Sequence, residues 1–360
     1  MTETTQTTPY PPLVLMNRVG SLEGHADQHA WYDTVGTGSK ASIVGVLPAD
    51  WSWAGKRVLD FGCGAGRTLR HFLVEAQEAE ITGCDIDAES VEWVQSNLVP
   101  PLHGAVTSGA EPPLPFEDDS FDLVYAVSVF THLSTHWAAW LCEMHRILAP
   151  GGLLVATFIG EAVAESIHGE PWDERRIGIS ISNDGQSWDR GGPMVVHAPW
   201  WLRAHWGRLF VIDEVVPYGF AGAPGTRGGH GIVVARKDER APLQPEDLVA
   251  PADEDSTQEA VWLHAEVQRR LAEVRMLRSG LDHVQAQLAA LEADGPAEAQ
   301  VRAEPDLVVE ADALRAERDQ LRERVRSLET STSWKVTRPL RAASDVIRAR
   351  RAAAAAKKNP

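Results

Sequence analysis

Cysteine is scarce. Three in 360 residues are too few for a disulfide framework and suit a reducing compartment. Long apolar runs are missing too: the longest, Leu123–Phe130 and Leu153–Gly160, fall well short of the ~20 residues that span a bilayer. Met1–Pro12 is rich in Thr and Pro and has no apolar heart, so it reads as a disordered lead rather than a secretory leader. Positive charge is short as well, with a net of −17, which argues against a coat for nucleic acid. Secreted, disulfide-stapled and transmembrane classes are set aside, and the expected location is the cytoplasm.

What remains is ordinary globular material, 44% hydrophobic and 24% charged, enough for a sizeable core in two or three domains. Leu13–Arg240 holds the Gly-rich turns and nearly all the aromatics, and reads as one domain. Ala241–Gln258 has three prolines and five acids with no base, the composition of an extended, self-repelling linker. Glu259–Thr330 turns to heptads, with Ala260, Val267, Val274, Leu281 and Leu288 at a and Leu263, Arg270, Leu277, Val284 and Leu291 at d. Nine of those ten are apolar, which is a coiled-coil pattern. Ala293-Asp294-Gly295-Pro296 stops it, and a shorter register follows through Leu307, Leu314, Leu321 and Leu328. The two segments can fold back on each other or pair with other chains, so a homo-oligomer or mixed assembly is expected. Ser331–Pro360 carries eight Lys/Arg and one Asp, a net of +7 that leaves −24 on the rest. Such a basic tail can lie on the inner face of an anionic membrane.

Within the globular part strands and helices alternate. Strands are expected at Arg57–Phe61, Glu80–Asp85, Gly104–Thr107, Phe121–Val127, Leu153–Phe158, Phe210–Val216 and Gly231–Arg236. Helices are expected at Thr68–Glu78, Ala88–Leu98 and Trp137–Leu148. That alternation predicts an α/β fold with a mostly parallel sheet covered on both faces, and a ligand site beyond the carboxyl ends of the strands.

The strongest local signal is Val58-Leu59-Asp60-Phe61-Gly62-Cys63-Gly64-Ala65-Gly66-Arg67. Glycines at alternate positions let the chain turn sharply after a strand and approach a ligand closely. A dinucleotide fingerprint is G-x-G-x-x-G and seats a pyrophosphate; here the spacing is G-x-G-x-G, and Asp60 would repel that group while attracting an ammonium. Nineteen residues beyond Gly66, Asp85 ends the second strand, where a carboxylate can accept both ribose hydroxyls. A ligand with ammonium and ribose at such a turn points to S-adenosyl-L-methionine.

With these residues in view, Lys56–Arg236 resembles the class I S-adenosylmethionine-dependent methyltransferases. The resemblance also rests on Gly83-Cys84-Asp85-Ile86-Asp87, on Leu114–Asp122 and on Arg146-Ile147-Leu148-Ala149-Pro150-Gly151-Gly152. It implies a seven-stranded Rossmann-like sheet and a cofactor site at Asp60, Gly62, Cys63, Gly64 and Gly66, with Asp85 on the ribose, Ile86 beside the adenine and Val127 nearby. Where family members often carry an Asp that reaches the adenine amino group, this chain has Ser108-Gly109-Ala110-Glu111, so Glu111 stands in as the candidate. Cys63 also reads as a small buried side chain, and no His or second Cys lies at metal spacing from it.

Methyl transfer to a hydroxyl needs a base. His132, just past the fourth strand, is the first candidate, and His136 is a weaker second; His132 can equally hold its loop by hydrogen bonds. The insertion Gly160–Pro199 offers Trp172, Trp188, Asp189 and His197, because indoles beside carboxylates suit a sugar, although the two indoles can equally anchor the loop. The tail Ser331–Arg341 resembles a segment found after coiled coils in bacterial glycosyltransferases and methyltransferases of surface-polysaccharide assembly. The expectation is therefore methylation of a glycan or glycolipid hydroxyl. Methylation of a small secondary metabolite, or a non-catalytic coiled-coil scaffold that binds the cofactor, are the alternatives.

Overall fold

A computed structural model describes residues 8–18, 20, 22, 24–161, 163, 171–183, 186–188, 191–220, 229–251, 257–294 and 305–330. The basic tail Ser331–Pro360 lies outside them, as does Asp189. The chain divides into two units, one within Met1–Ser182 and Ser187–Asp253, the other within Asn183–Gln186 and Glu254–Pro360.

The first unit begins with α1 (Leu13–Arg18) and α2 (Gln28–Gly45). Then β1 (Arg57–Phe61), β2 (Glu80–Asp85), α3 (Ala88–Asn97), β3 (Gly104–Thr107), β4 (Phe121–Ala126), α4 (Trp137–Ile147) and β5 (Leu148–Ile159) alternate as expected. These strands run parallel in the order β3-β2-β1-β4-β5. Val58, Leu59, Leu123, Val124, Leu154 and Ala156 are wholly buried, as befits strands covered on both faces. α4 sends Trp137, Trp140, Leu141, Met144 and Ile147 into the core at helical spacing.

The sheet has nine strands among the described residues rather than seven. β6 (Ile179–Ser182) and β7 (Met194–His197) form an antiparallel pair inside the insertion, and β7 touches the end of β5 through Ile159 and Val196. After α5 (Pro199–His205), β8 (Val211–Phe220) and β9 (His230–Arg236) close the sheet, β9 antiparallel to β5 and β8 antiparallel to β9. Without β6 and β7, the expected seven remain in the order β3-β2-β1-β4-β5-β9-β8.

Three expectations need correcting. Thr68–Glu78 is two short 3-10 turns, Leu69–Phe72 and Glu75–Gln77, not one helix. α2 packs so closely there that a Cβ on Gly36 would overlap the Arg67 carbonyl, while Leu69 lies against Gly83 of β2; tertiary contact overrides the helical pattern. Of the lead, Thr8–Pro12 is docked: Pro11 is buried, Tyr10 lies 4.2 Å over the Arg70 guanidinium and bonds Asp33, and Arg70 donates to the Thr8 carbonyl. The acidic linker is likewise docked as far as residue 251. α6 (Pro245–Val249) buries Leu248 completely, the Leu243 carbonyl accepts from the Cys142 thiol, and the Leu248 carbonyl accepts from His205 Nδ1.

The second unit contains α7 (Thr257–Asp294) and α8 (Pro305–Thr330), which pack on one another within the chain. Val274 and Leu277 meet Leu321 and Val325, and Arg278 pairs with Glu329 at 2.6 Å. Most of the heptad positions, Val267, Val274, Leu277, Val284 and Leu288 among them, are buried, whereas Ala260 is exposed. Arg270, the polar d residue, is buried and bonds Glu266 at 2.9 Å. No helix among the described residues is long and apolar enough to cross a membrane.

Two outcomes follow from this packing. Leu248→Ala should cost the first unit about 2–5 kcal/mol, measured by denaturant unfolding of the full chain; an undocked linker would show almost no shift. His197 is wholly buried beside Trp201 and Trp206, and burial pushes its pKa down to about 3. An unfolded imidazole takes up its proton near pH 6.5. Below that pH the unfolded chain binds more protons, so stability is complete above pH ~6.5 and drains away as pH falls toward the folded value. In His197→Leu the melting temperature should fall less steeply with acid than in the parent.

Candidate functional site

A cavity of about 560 Å³ opens beyond the carboxyl ends of β1, β2, β3 and β4, within the range of small-molecule sites. Gly62, Gly64 and Gly66 all have positive φ, +83°, +50° and +78°. A Cβ on Gly62 would overlap the Val129 side chain, so the turn after β1 lies directly against the loop after β4. Asp85 spans the turn: its Oδ2 accepts the Gly64 N–H at 2.7 Å and its Oδ1 the Asp87 N–H at 2.8 Å. Both oxygens keep lone pairs free for hydroxyl donors. Tyr32 of α2 donates to the Ala65 carbonyl at 3.1 Å and fixes the turn from behind.

Asp60 is buried, and its Oδ2 has no hydrogen-bond partner among the described residues. Burial pushes its pKa up to about 8. Arg67 also lines the cavity; its buried Nε is without a partner among the described residues, and burial lowers this guanidinium's pKa. A carboxylate and a guanidinium left unsatisfied around one cavity carry a desolvation cost that a ligand with the opposite charges removes. The end of α1 and the chain just beyond it add Asn17, Arg18 and Gly20 to the lining, and Arg18 pairs with Asp87 at 2.8 Å and Glu89 at 2.7 Å.

The opposite wall follows β4. Ser128 takes a left-handed φ of +61°, unusual for a residue with a side chain. Its N–H donates to Thr157 Oγ1 at 2.7 Å and its hydroxyl meets Thr131 Oγ1 at 3.1 Å. His132 lines the cavity, and its Nδ1 lies 2.8 Å from the Pro193 carbonyl. A carbonyl only accepts, so Nδ1 carries the proton and Nε2 holds the lone pair. Burial lowers this imidazole's pKa and keeps it neutral. Gly192, at φ +64°, packs beside it; a Cβ there would sit 3.4 Å from Nδ1.

Residues 59–156 match the family model described as a methyltransferase domain. That stretch contains the turn, Asp85 and His132. A Mycobacterium ulcerans protein named phthiotriol/phenolphthiotriol dimycocerosates methyltransferase 1 is 36% identical over 104 residues, 29% of this chain and 38% of its own. A Mycolicibacterium smegmatis protein named fatty-acid O-methyltransferase is 31% identical over 107 residues, 29% of this chain and 37% of its own. The chain thus spans under two-fifths of the length of these curated relatives. A solved structure of a SAM-dependent methyltransferase from Methanosarcina mazei aligns with 55% of this chain and 97% of that one at 18% identity. The TM-score of that match is 0.40.

The cofactor of a methyltransferase domain is S-adenosyl-L-methionine, and the residues present fit it. Asp60 suits the ammonium, Arg67 the carboxylate, Asp85 the ribose hydroxyls and Ile86 the adenine. Asp60, Gly62, Cys63, Asp85, Ile86, Val127, His132 and Trp188 all line the cavity. Gly64 and Gly66 shape the turn without lining it; Gly66 backs onto Val94 and Leu98.

Other candidates lie elsewhere. Glu111 is exposed and 3.7 Å from His136, so neither serves the cavity; Ser108, Gly109 and Ala110 line it instead. Trp172 packs against Ile159, Ile177 and Val196, and His197 is enclosed by Trp201 and Trp206. Arg67, which ends the glycine motif, joins the cavity lining, and the upstream segment Leu13–Lys40, expected from the sequence to cap the cofactor, contributes Asn17, Arg18 and Gly20.

Burial keeps Asp60 neutral up to about pH 8, and a bound ammonium would ionise it. Cofactor binding near pH 7 should therefore release up to about one proton from Asp60. Calorimetry in two buffers of different ionisation enthalpy measures this, and Asp60→Asn should abolish that share. Equal proton counts in the two proteins would break the pairing.

Proposed function

We propose that this chain is an S-adenosylmethionine-dependent methyltransferase that methylates a hydroxyl oxygen, with His132 as the base. The observation that carries the reading is the tautomer: Nδ1–H is committed to the Pro193 carbonyl, so Nε2 faces its task unprotonated. When bound, S-adenosylmethionine supplies a methyl group activated by its sulfonium. Asp60 and Arg67 hold the amino-acid end, and Asp85 holds the ribose. His132 Nε2 takes the proton of the hydroxyl whose oxygen receives the methyl. The products are a methyl ether and a thioether, and the positive charge lost from sulfur ends on the imidazolium. Alignment and exclusion of water do the rest, because the methyl needs no further activation. A relative named as an O-methyltransferase is in keeping with an oxygen acceptor.

The insertion lends a glycan acceptor little support, and the tail that also suggested one lies outside the described residues. Of the residues that favoured a sugar, Trp172 and His197 are built into packing and Asp189 lies outside the described residues, which leaves Trp188 alone.

His132→Gln should lower kcat/KM by about 10²–10⁴-fold with cofactor affinity unchanged. In the parent, activity should rise with pH through the His132 pKa, which burial holds below the usual 6.5 or so, and stay level above it. That acid limb should vanish in His132→Gln. A variant with parental activity, or one that keeps the limb, would remove His132 from the chemistry.

A further inference from the structure

We infer that the acceptor is an alcohol or phenol on a hydrocarbon skeleton, clasped by Val129, Leu133, Trp140, Trp188 and Pro193 with its hydroxyl toward His132. This names the substrate class of the same site and rests on the methyltransferase reading above.

Polarity is segregated around the cavity. The charged groups that line it, Arg18, Asp60, Arg67 and Asp85, all come from α1, the β1 turn and the end of β2. These suit the two ends of the cofactor. Beyond β4 and from the insertion the described lining turns apolar, and His132 is the one titratable side chain there. Ser128, its polar neighbour, donates its N–H to Thr157 and shares its hydroxyl with Thr131.

A sugar carries a hydroxyl on nearly every ring carbon. Against this wall most of them would exchange water for carbon, and each hydroxyl left unpaired weakens binding. A hydrocarbon with a single hydroxyl makes the reverse exchange and gains with every methylene buried.

The clasp is held by the backbone. The Trp188 carbonyl accepts the Gly191 N–H at 3.2 Å, and Gly191 and Gly192 have φ of +93° and +64°. This tight turn brings Trp188 and Pro193 to the same cavity as His132. Trp188 is 50% exposed, so apolar surface continues from the cavity to the solvent. A skeleton longer than the cavity can therefore run out along the indole.

The test uses the full chain saturated with S-adenosylhomocysteine, titrated with primary n-alkanols from butanol to decanol and with methyl glucoside. Affinity should climb about fourfold per added methylene, the equivalent of about 0.8 kcal/mol, and methyl glucoside should bind more weakly than butanol. Leu133→Asn and Trp188→Ala should flatten the climb while leaving cofactor affinity unchanged. A flat series in the parent overturns the proposal, as does tighter binding of methyl glucoside than of decanol. A climb that persists unaltered in both variants means that the alkanols bind elsewhere, and it also overturns the proposal. Failure of the parent to bind S-adenosylmethionine, read in a separate titration, would instead overturn the methyltransferase reading.

Discussion

The site depends on one contact, the backbone of Gly62 pressed against the side chain of Val129. It joins the turn after β1 to the loop after β4, the two segments that would carry cofactor and base. From Val129 the connection runs on through backbone: its carbonyl accepts the His132 N–H at 2.9 Å, and the Thr131 carbonyl accepts the Val195 N–H at 2.8 Å. Pro193 then fixes the imidazole. The distance between the two halves of the reaction is thus set by chain-to-chain contact rather than by flexible side chains, the condition under which alignment contributes most to rate. Ser128 takes up the cost of this geometry in its left-handed backbone.

Electrostatics runs against local stability at the same place. Asp60 and Arg67 have buried polar atoms without partners among the described residues, a conflict that folds tolerate at sites built for a ligand. The rest of the unit offsets it by packing. β5 is a twelve-residue strand bonded to β4, β7 and β9, and Phe130, Trp137, Trp201 and Trp206 are fully or almost fully buried. The docked Thr8–Pro12 and α6 enlarge that core from both ends of the unit.

Much of this was legible in the sequence. β1 and β2 fall where their apolar runs and flanking turns put them, because a strand buried on both faces needs an uninterrupted run and a hard stop; β3, a half-buried edge strand, falls at its short run too. Asp60, Gly62, Asp85, Ile86 and His132 could be read because each is adjacent in sequence to the strand end that positions it. Thr68–Glu78 could not, since its helical spacing was overruled by α2 at Gly36. Nor could α6: five acids look like a solvated linker until Leu248 is seen to be buried. Glu111 misled because its short distance from β3 in sequence hid an exposed side chain beside His136.

Local order, then, decided the strands, the glycine turn and the identity of the groups at their ends, since turn geometry and strand burial depend on neighbours a few residues away. Tertiary structure decided which groups share the cavity. Arg67 and Asp60 line it together, Gly20 comes in from beyond α1, and Pro193 reaches His132 across 61 residues. It also decided that Trp172 and His197 serve packing. Whether an indole or imidazole faces a cavity or a core depends on what lies on its far side, and that comes from chain remote in sequence.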